Sequence, residues 1–154
     1  MATDVRSTRL PDGPGKTVLL VEDEPAVRDI ARIILCDNGY TVLEAANGEE
    51  ALDLARSHAG NVSLLLTDMV MPRMGGLELA EKLASLRPDT KILFMSGYPE
   101  KAIRRDDILP TGASFLMKPF NSKTLSDKVR GILDAMRTGL REETRGEAST
   151  DPVS

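Results

Sequence analysis

Along its length the chain alternates short apolar runs with longer segments in which apolar residues recur every three or four positions. Thr17-Val18-Leu19-Leu20-Val21 is the first run, and it breaks into Glu22-Asp23-Glu24-Pro25. A run this short, bounded by polar residues, predicts a strand buried on both faces. Pro25, with acids in the first turn, opens a helix predicted to reach Asp37, with Val27, Ile30 and Ile34 inward and Gly39 just past its end. Tyr40 to Glu44 predicts the second strand and Asn47-Gly48 a break. Glu49 to His58 then predicts a helix with Ala51, Leu52 and Ala55 inward. Val62 to Thr67 predicts the third strand, ending in Asp68 and followed by a loop marked by Pro72 and Gly75-Gly76. Leu77 to Leu86 predicts a helix with Leu79, Ala80 and Leu83 spaced for burial, stopped by Arg87-Pro88-Asp89. Lys91 to Met95 predicts a fourth strand ending in Ser96-Gly97, and Glu100 to Asp107 a highly charged helix. Ser114 to Met117 predicts the fifth strand, ending in Lys118-Pro119. Asn121 or Ser122 then caps a last helix to about Arg137, with Leu125, Val129, Ile132 and Met136 inward.

Strand and helix alternate five times, which predicts an α/β fold: a five-stranded parallel sheet with five helices on its two faces. The doubly wound order 2-1-3-4-5 is the natural arrangement for such units, with its switch point between strands one and three. The expected organisation is a polar, Pro- and Gly-rich disordered arm at 1–15, one domain at 16–138 and a flexible polar tail at 139–154.

Composition narrows the function. The chain has 154 residues, 41% hydrophobic and 29% charged, so it fits one globular domain. With no Trp and 3% aromatics, its core must be aliphatic. A net charge of -4 argues against electrostatic binding of nucleic acid. No stretch approaches the roughly 20 apolar residues of a membrane span, and the N-terminus has no apolar signal region. Cys36 is the single cysteine, which rules out an internal disulfide and fits a cytoplasmic location.

The chemistry lies in what ends each strand. Strand one ends in Glu22 and Asp23, strand three in Asp68, strand four in Ser96 and strand five in Lys118. In a parallel sheet these groups converge at one edge, where open α/β folds bind ligands. Three clustered carboxylates repel one another and call for a cation. Mg2+ fits, being a hard ion that takes oxygen ligands; a zinc site does not, because His58 is the only histidine and is predicted far from that edge. Carboxylates, a metal, an amine and a hydroxyl suit phosphoryl transfer with Asp68 as nucleophile, the ion and Lys118 neutralising the transferring group.

The segments Val21-Glu22-Asp23-Glu24-Pro25, Asp68-Met69-Val70-Met71-Pro72, Ser96-Gly97 and Lys118-Pro119-Phe120 occur in order, each at a strand end. Together they resemble the receiver domain of bacterial two-component response regulators, over roughly residues 16–137. Phe94-Met95-Ser96-Gly97-Tyr98 also resembles receivers attached to hybrid sensor kinases. The resemblance implies a flavodoxin-like fold, with Asp68 as phosphoacceptor, Glu22 and Asp23 as Mg2+ ligands and the backbone carbonyl of Val70 as a further ligand. It implies that Ser96 engages the phosphoryl group, that Lys118 pairs with it across a cis Lys118-Pro119 bond, and that Phe115 is an aromatic switch. A surface of the fourth helix, fifth strand and fifth helix would carry the signal. Glu22 stands where Asp is commoner, Gly75 where Asp is frequent, and Phe115 lacks the hydroxyl of the commoner Tyr. Val70 and Tyr98 frame the site with apolar groups, which predicts a long-lived phosphoryl group.

The implied partners are a histidine kinase or histidine phosphotransfer protein as donor and a downstream protein target, with the chain a monomer or a phosphorylation-dependent dimer. The chain is expected to catalyse its own aspartyl phosphorylation and dephosphorylation without turning over a separate substrate. Only 17 residues follow Arg137, so a stand-alone receiver, or a receiver fragment of a hybrid histidine kinase, is expected. A magnesium phosphohydrolase is disfavoured, because Val70 stands where such enzymes carry a second carboxylate. A phosphorylation-independent interaction module of the same fold is the other alternative; the intact Glu22, Asp23, Asp68, Ser96 and Lys118 set argues against it.

Overall fold

The computed structural model describes residues 16–97 and 113–134. The predicted arm and tail lie outside those residues, as do the predicted helix from Glu100 to Asp107, Tyr98 and Met136. The strands are β1 (Thr17–Val21), β2 (Thr41–Ala45), β3 (Leu64–Asp68), β4 (Lys91–Ser96) and β5 (Ser114–Met117). The helices are α1 (Pro25–Asp37), α2 (Gly48–Ser57), α3 (Gly76–Leu86) and α4 (122–134). The described residues thus hold four helices rather than the expected five.

All strand pairs are parallel, in the order β2-β1-β3-β4-β5. Successive side chains of a strand point to opposite faces, so a strand covered on both sides reads as an unbroken apolar run. In β1, Leu19 and Val21 join one core with Ala51, Leu52, Leu79 and Leu83 from α2 and α3. Val18 and Leu20 join the other with Ala31, Leu35, Leu125 and Val129 from α1 and α4. Edge strand β2 is covered less, and of its residues only Ala45 is buried.

Two helix faces differ from the expected ones. On α1, Ala31, Ile34 and Leu35 are buried, while Ile30 and Ile33 are exposed. The helix presses against the sheet with small Ala31, so the close approach turns Ile30 outward. On α4, Leu133 is buried beside Leu125 and Val129, and Ile132 packs only at the margin. The acids before α1 also lie outside its first turn: Glu24 is the N-cap, without a side-chain capping bond, and Pro25 follows it. Asn47 caps α2 by accepting the Glu50 N–H at 2.8 Å, while Glu50 Oε1 accepts the Ala46 N–H; the two bonds form a reciprocal box. Asn121 caps α4, accepting the Thr124 N–H at 2.8 Å.

Candidate functional site at the carboxyl edge of the sheet

The strand register decides which residues meet. Val21 pairs with Thr67 and Asp68 pairs with Met95. The residue after β1, Glu22, therefore stands level with Asp68, and its N–H extends the ladder to the Ala45 carbonyl at 3.1 Å. Ser96 pairs with Met117, so Lys118 follows one step beyond, its N–H on the Ser96 carbonyl at 2.9 Å. The sheet thus brings Glu22, Asp23, Asp68, Ser96 and Lys118 to one edge.

Carboxylate oxygens of Glu22, Asp23 and Asp68 lie within 4.8 Å of one another. Glu22 is 0% exposed, Asp68 8% and Ser96 4%, whereas Asp23 faces solvent. Lys118 Nζ donates to Asp68 Oδ2 at 3.0 Å and stands 3.2 Å from Glu22 Oε1. The second contact is an ion pair to a wholly buried carboxylate. Glu22 Oε2 accepts the Glu24 N–H at 3.2 Å, and Asp68 Oδ1 accepts the Val70 N–H at 3.3 Å.

This arrangement is electrostatically strained. Burial, then the Asp68 charge, push the Glu22 carboxyl up to about 7, against the opposing pull of the Glu24 N–H and Lys118. Burial pulls the Lys118 ammonium down, but the bond to Asp68 and the charges of Asp68 and Glu22 outweigh it and hold the amine above its ordinary value. One ammonium thus serves two buried carboxylates with a third alongside. Three convergent carboxylates sharing one ammonium, an all-oxygen donor set, fit a hard divalent cation such as Mg2+.

The other predicted residues lie around this cluster. Val70 follows Asp68 in the loop, with its residue 66% exposed. Phe115 is half-buried on β5, paired with Phe94 on β4 at a ring separation of 5.5 Å, so it packs into the sheet near the site without touching the carboxylates. The Lys118-Pro119 bond is cis. Met69 and Met71, in the loop after Asp68, are buried in the core with α2 and α3, and Met74 is partly buried against it.

Two contributors escaped the sequence reading. Gly76, read there only as a turn residue, opens α3 directly against the Asp68 backbone. Its N–H donates to the Met69 carbonyl at 2.9 Å, and a Cβ at this position would lie 2.5 Å from the Asp68 carbonyl oxygen. Only the lack of a side chain lets α3 come this close. Arg28 reaches from α1 to the Glu22 carbonyl, 2.6 Å from its Nη1. The glycine pair was a visible signal for the first; nothing local marks the second.

Comparison with known proteins gives a consistent result. The family profile described as the response regulator receiver domain matches residues 18–130. The sensor kinase CckA of Brucella abortus (strain 2308) is 46% identical over 120 residues, which span 77% of this chain but only 12% of that kinase. The response regulator receiver protein CpdR of the same organism is 38% identical over 120 residues, covering 78% of this chain and 98% of CpdR. Among solved structures, the receiver domain of the hybrid histidine kinase CckA is similar with a TM-score of 0.66 at 41% identity, over 76% of this chain and 98% of that one. The response regulator TrrA of Thermotoga maritima, solved in complex with Mg(2+)-BeF, has a TM-score of 0.65 at 35% identity, over 76% of this chain and 98% of its own. No helix among the described residues is long and apolar enough to cross a membrane. With the strand order, the convergent strand ends and these matches, the chain belongs to the response regulator receiver domain family.

Proposed function

We propose that the chain is a phosphoacceptor in a two-component phosphorelay, taking a phosphoryl group on Asp68 and switching a protein-interaction surface in response. The observation that carries this reading is the Lys118 ammonium, 3.0 Å from Asp68 Oδ2, among three carboxylates too crowded to be at rest without a further cation. An Asp68 oxygen attacks phosphorus, an O–P bond forms, and the bond from phosphorus to the donor breaks. The donor leaves as imidazole from a phosphohistidine, or as acetate from acetyl phosphate.

Glu22, Asp23 and Asp68 would hold Mg2+, with the Val70 carbonyl as a further ligand by family resemblance. The ion would neutralise charge on the transferring group. Lys118 orients Asp68 through its 3.0 Å hydrogen bond to Oδ2, then pairs with a phosphoryl oxygen. Ser96, at the end of β4, supplies a hydroxyl to another oxygen, and Phe115 moves with it. The edge is open to a donor beside α1, where Val27, Ile30, Pro119 and Phe120 line an apolar groove that shares Lys118 with the site. A histidine kinase or phosphotransfer protein is the expected donor, as the likeness to CckA suggests.

Borohydride reduction followed by peptide mapping tests the assignment, because an aspartyl phosphate is reduced to homoserine where it stands. After incubation with acetyl phosphate and Mg2+, homoserine is expected at position 68 alone. Label at another position, or none in folded protein, would overturn the reading.

A further inference from the structure

The backbone of Glu22 is held on both sides of its Cα. The peptide before it is fixed by the Glu22 N–H on the Ala45 carbonyl at 3.1 Å. The peptide joining it to Asp23 is fixed by Arg28, whose Nη1 donates to the Glu22 carbonyl oxygen at 2.6 Å. Arg28 lies in the first turn of α1, and its side chain is 20% exposed. Its Nε stands 3.6 Å from Glu44 Oε1 on β2, and the other Glu44 oxygen is 3.3 Å from Arg32 Nε, one turn further along α1. Glu44 therefore sits between two arginines and steadies the guanidinium that reaches Glu22.

We propose that Arg28 is a positioning residue for the acidic pair: by holding the Glu22 carbonyl it sets the peptide from which Asp23 projects, and Glu44 with Arg32 holds Arg28 in place. This rests on the reading of Glu22 and Asp23 as Mg2+ ligands and deepens it. Asp23 is exposed, so its direction depends on its backbone more than on packing, and the Glu22 carbonyl is the preceding point of that backbone. Arg28 touches none of the three carboxylates, so its effect passes through the backbone. Groups that orient metal ligands in this way commonly alter affinity by about ten- to a hundredfold.

The test is Mg2+ titration calorimetry on the unphosphorylated full chain, with Arg28→Ala, Arg28→Lys, Glu44→Gln and, as a distant charge control, Arg56→Ala. Arg28→Ala is expected to weaken Mg2+ binding about tenfold, Arg28→Lys less, and Glu44→Gln about two- to threefold. Arg56→Ala, which breaks an exposed pair with Asp53, should bind as the parent does. In acetyl phosphate reactions, the Mg2+ concentration at half-maximal rate should rise in the same order, while the rate at saturating Mg2+ stays within about twofold. If Arg28→Ala does not fold, Arg28→Lys and Glu44→Gln decide the matter. Variants that fold and bind Mg2+ as tightly as the parent would overturn the inference while leaving Asp68 phosphorylation intact. A parent that binds no Mg2+ would overturn both.

Discussion

Two partly covered cations show how differently one fold uses the same kind of charge. Arg87, at the end of α3, donates to three backbone carbonyls: Ala55 at 3.1 and 2.9 Å, His58 at 2.7 Å and Gly60 at 2.9 Å. Its partners are neutral dipoles left over at the C-terminus of α2, and nothing there repels anything else. Lys118 instead faces two buried carboxylates with a third nearby, one ammonium shared among three like charges. The first cluster is satisfied within the fold and ties α2, α3 and the approach to β3 together. The second carries like-charge repulsion that a divalent cation can relieve. Local conflict of this kind concentrates at functional sites.

Substitutions at the two cations should separate chemistry from stability. Lys118→Ala is expected to slow phosphorylation by acetyl phosphate about a hundredfold or more, the usual scale for losing a preorganised charge-stabilising group. Single-turnover kinetics at saturating Mg2+ checks this; a loss under about fivefold would remove Lys118 from the chemistry.

The next effect is one of pH. In the folded, metal-free chain Glu22 keeps its proton up to about pH 7, whereas its ordinary value is 4.5. Between these values the fold binds more protons than the unfolded chain does. Metal-free stability should therefore fall as pH rises from 4.5 to 7, by up to roughly 3 kcal/mol. Urea unfolding across this window should show the fall in the parent and a flatter profile in Glu22→Gln. Mg2+ added at pH 8 should stabilise the parent more than the variant. Equal slopes in the two proteins would mean that Glu22 is not the strained group.

Arg87→Ala should show the opposite pattern. It leaves carbonyls of Ala55, His58 and Gly60 without their donor and is expected to cost about 2 kcal/mol of unfolding free energy. Phosphoryl uptake per folded molecule should match the parent. A phosphorylation defect in folded Arg87→Ala would erase the distinction between the two clusters.

Gly76→Ala sharpens the comparison from the backbone side. The new methyl meets the Asp68 carbonyl and the Met69 Cα, neither of which is a flexible side-chain end. A stability cost of about 1–2 kcal/mol is expected, with slower phosphorylation because Asp68 must shift. Thermal unfolding and the acetyl phosphate rate together test it; a drop in stability alone would show that the displacement does not reach the carboxylate.

Much of this was legible in the sequence, for one physical reason. A strand covered on both faces is apolar throughout, so its end is marked by the first polar residue. Glu22, Ser96 and Lys118 are marked in this way, Asp68 comes one residue after Thr67 marks the end of its run, and the parallel sheet then brings them together. Arg28 and Arg87 could not be found by that rule. Their partners are backbone carbonyls, which leave no trace in residue type. Ala31 was passed over in favour of Ile30 because apolar spacing ranks the larger side chain as the inner one, whereas tight helix–sheet packing selects the smaller. Met69 and Met71 follow Asp68 and read as loop, but they are buried in the core beside α2 and α3.

Intact-mass measurement after incubation with acetyl phosphate, with and without Mg2+, on the parent and Asp68→Asn, tests the central claim most directly. The account predicts one phosphoryl adduct on the parent with Mg2+, little without it, and none on Asp68→Asn. An equal adduct on folded Asp68→Asn, or none on folded parent with Mg2+, would contradict it.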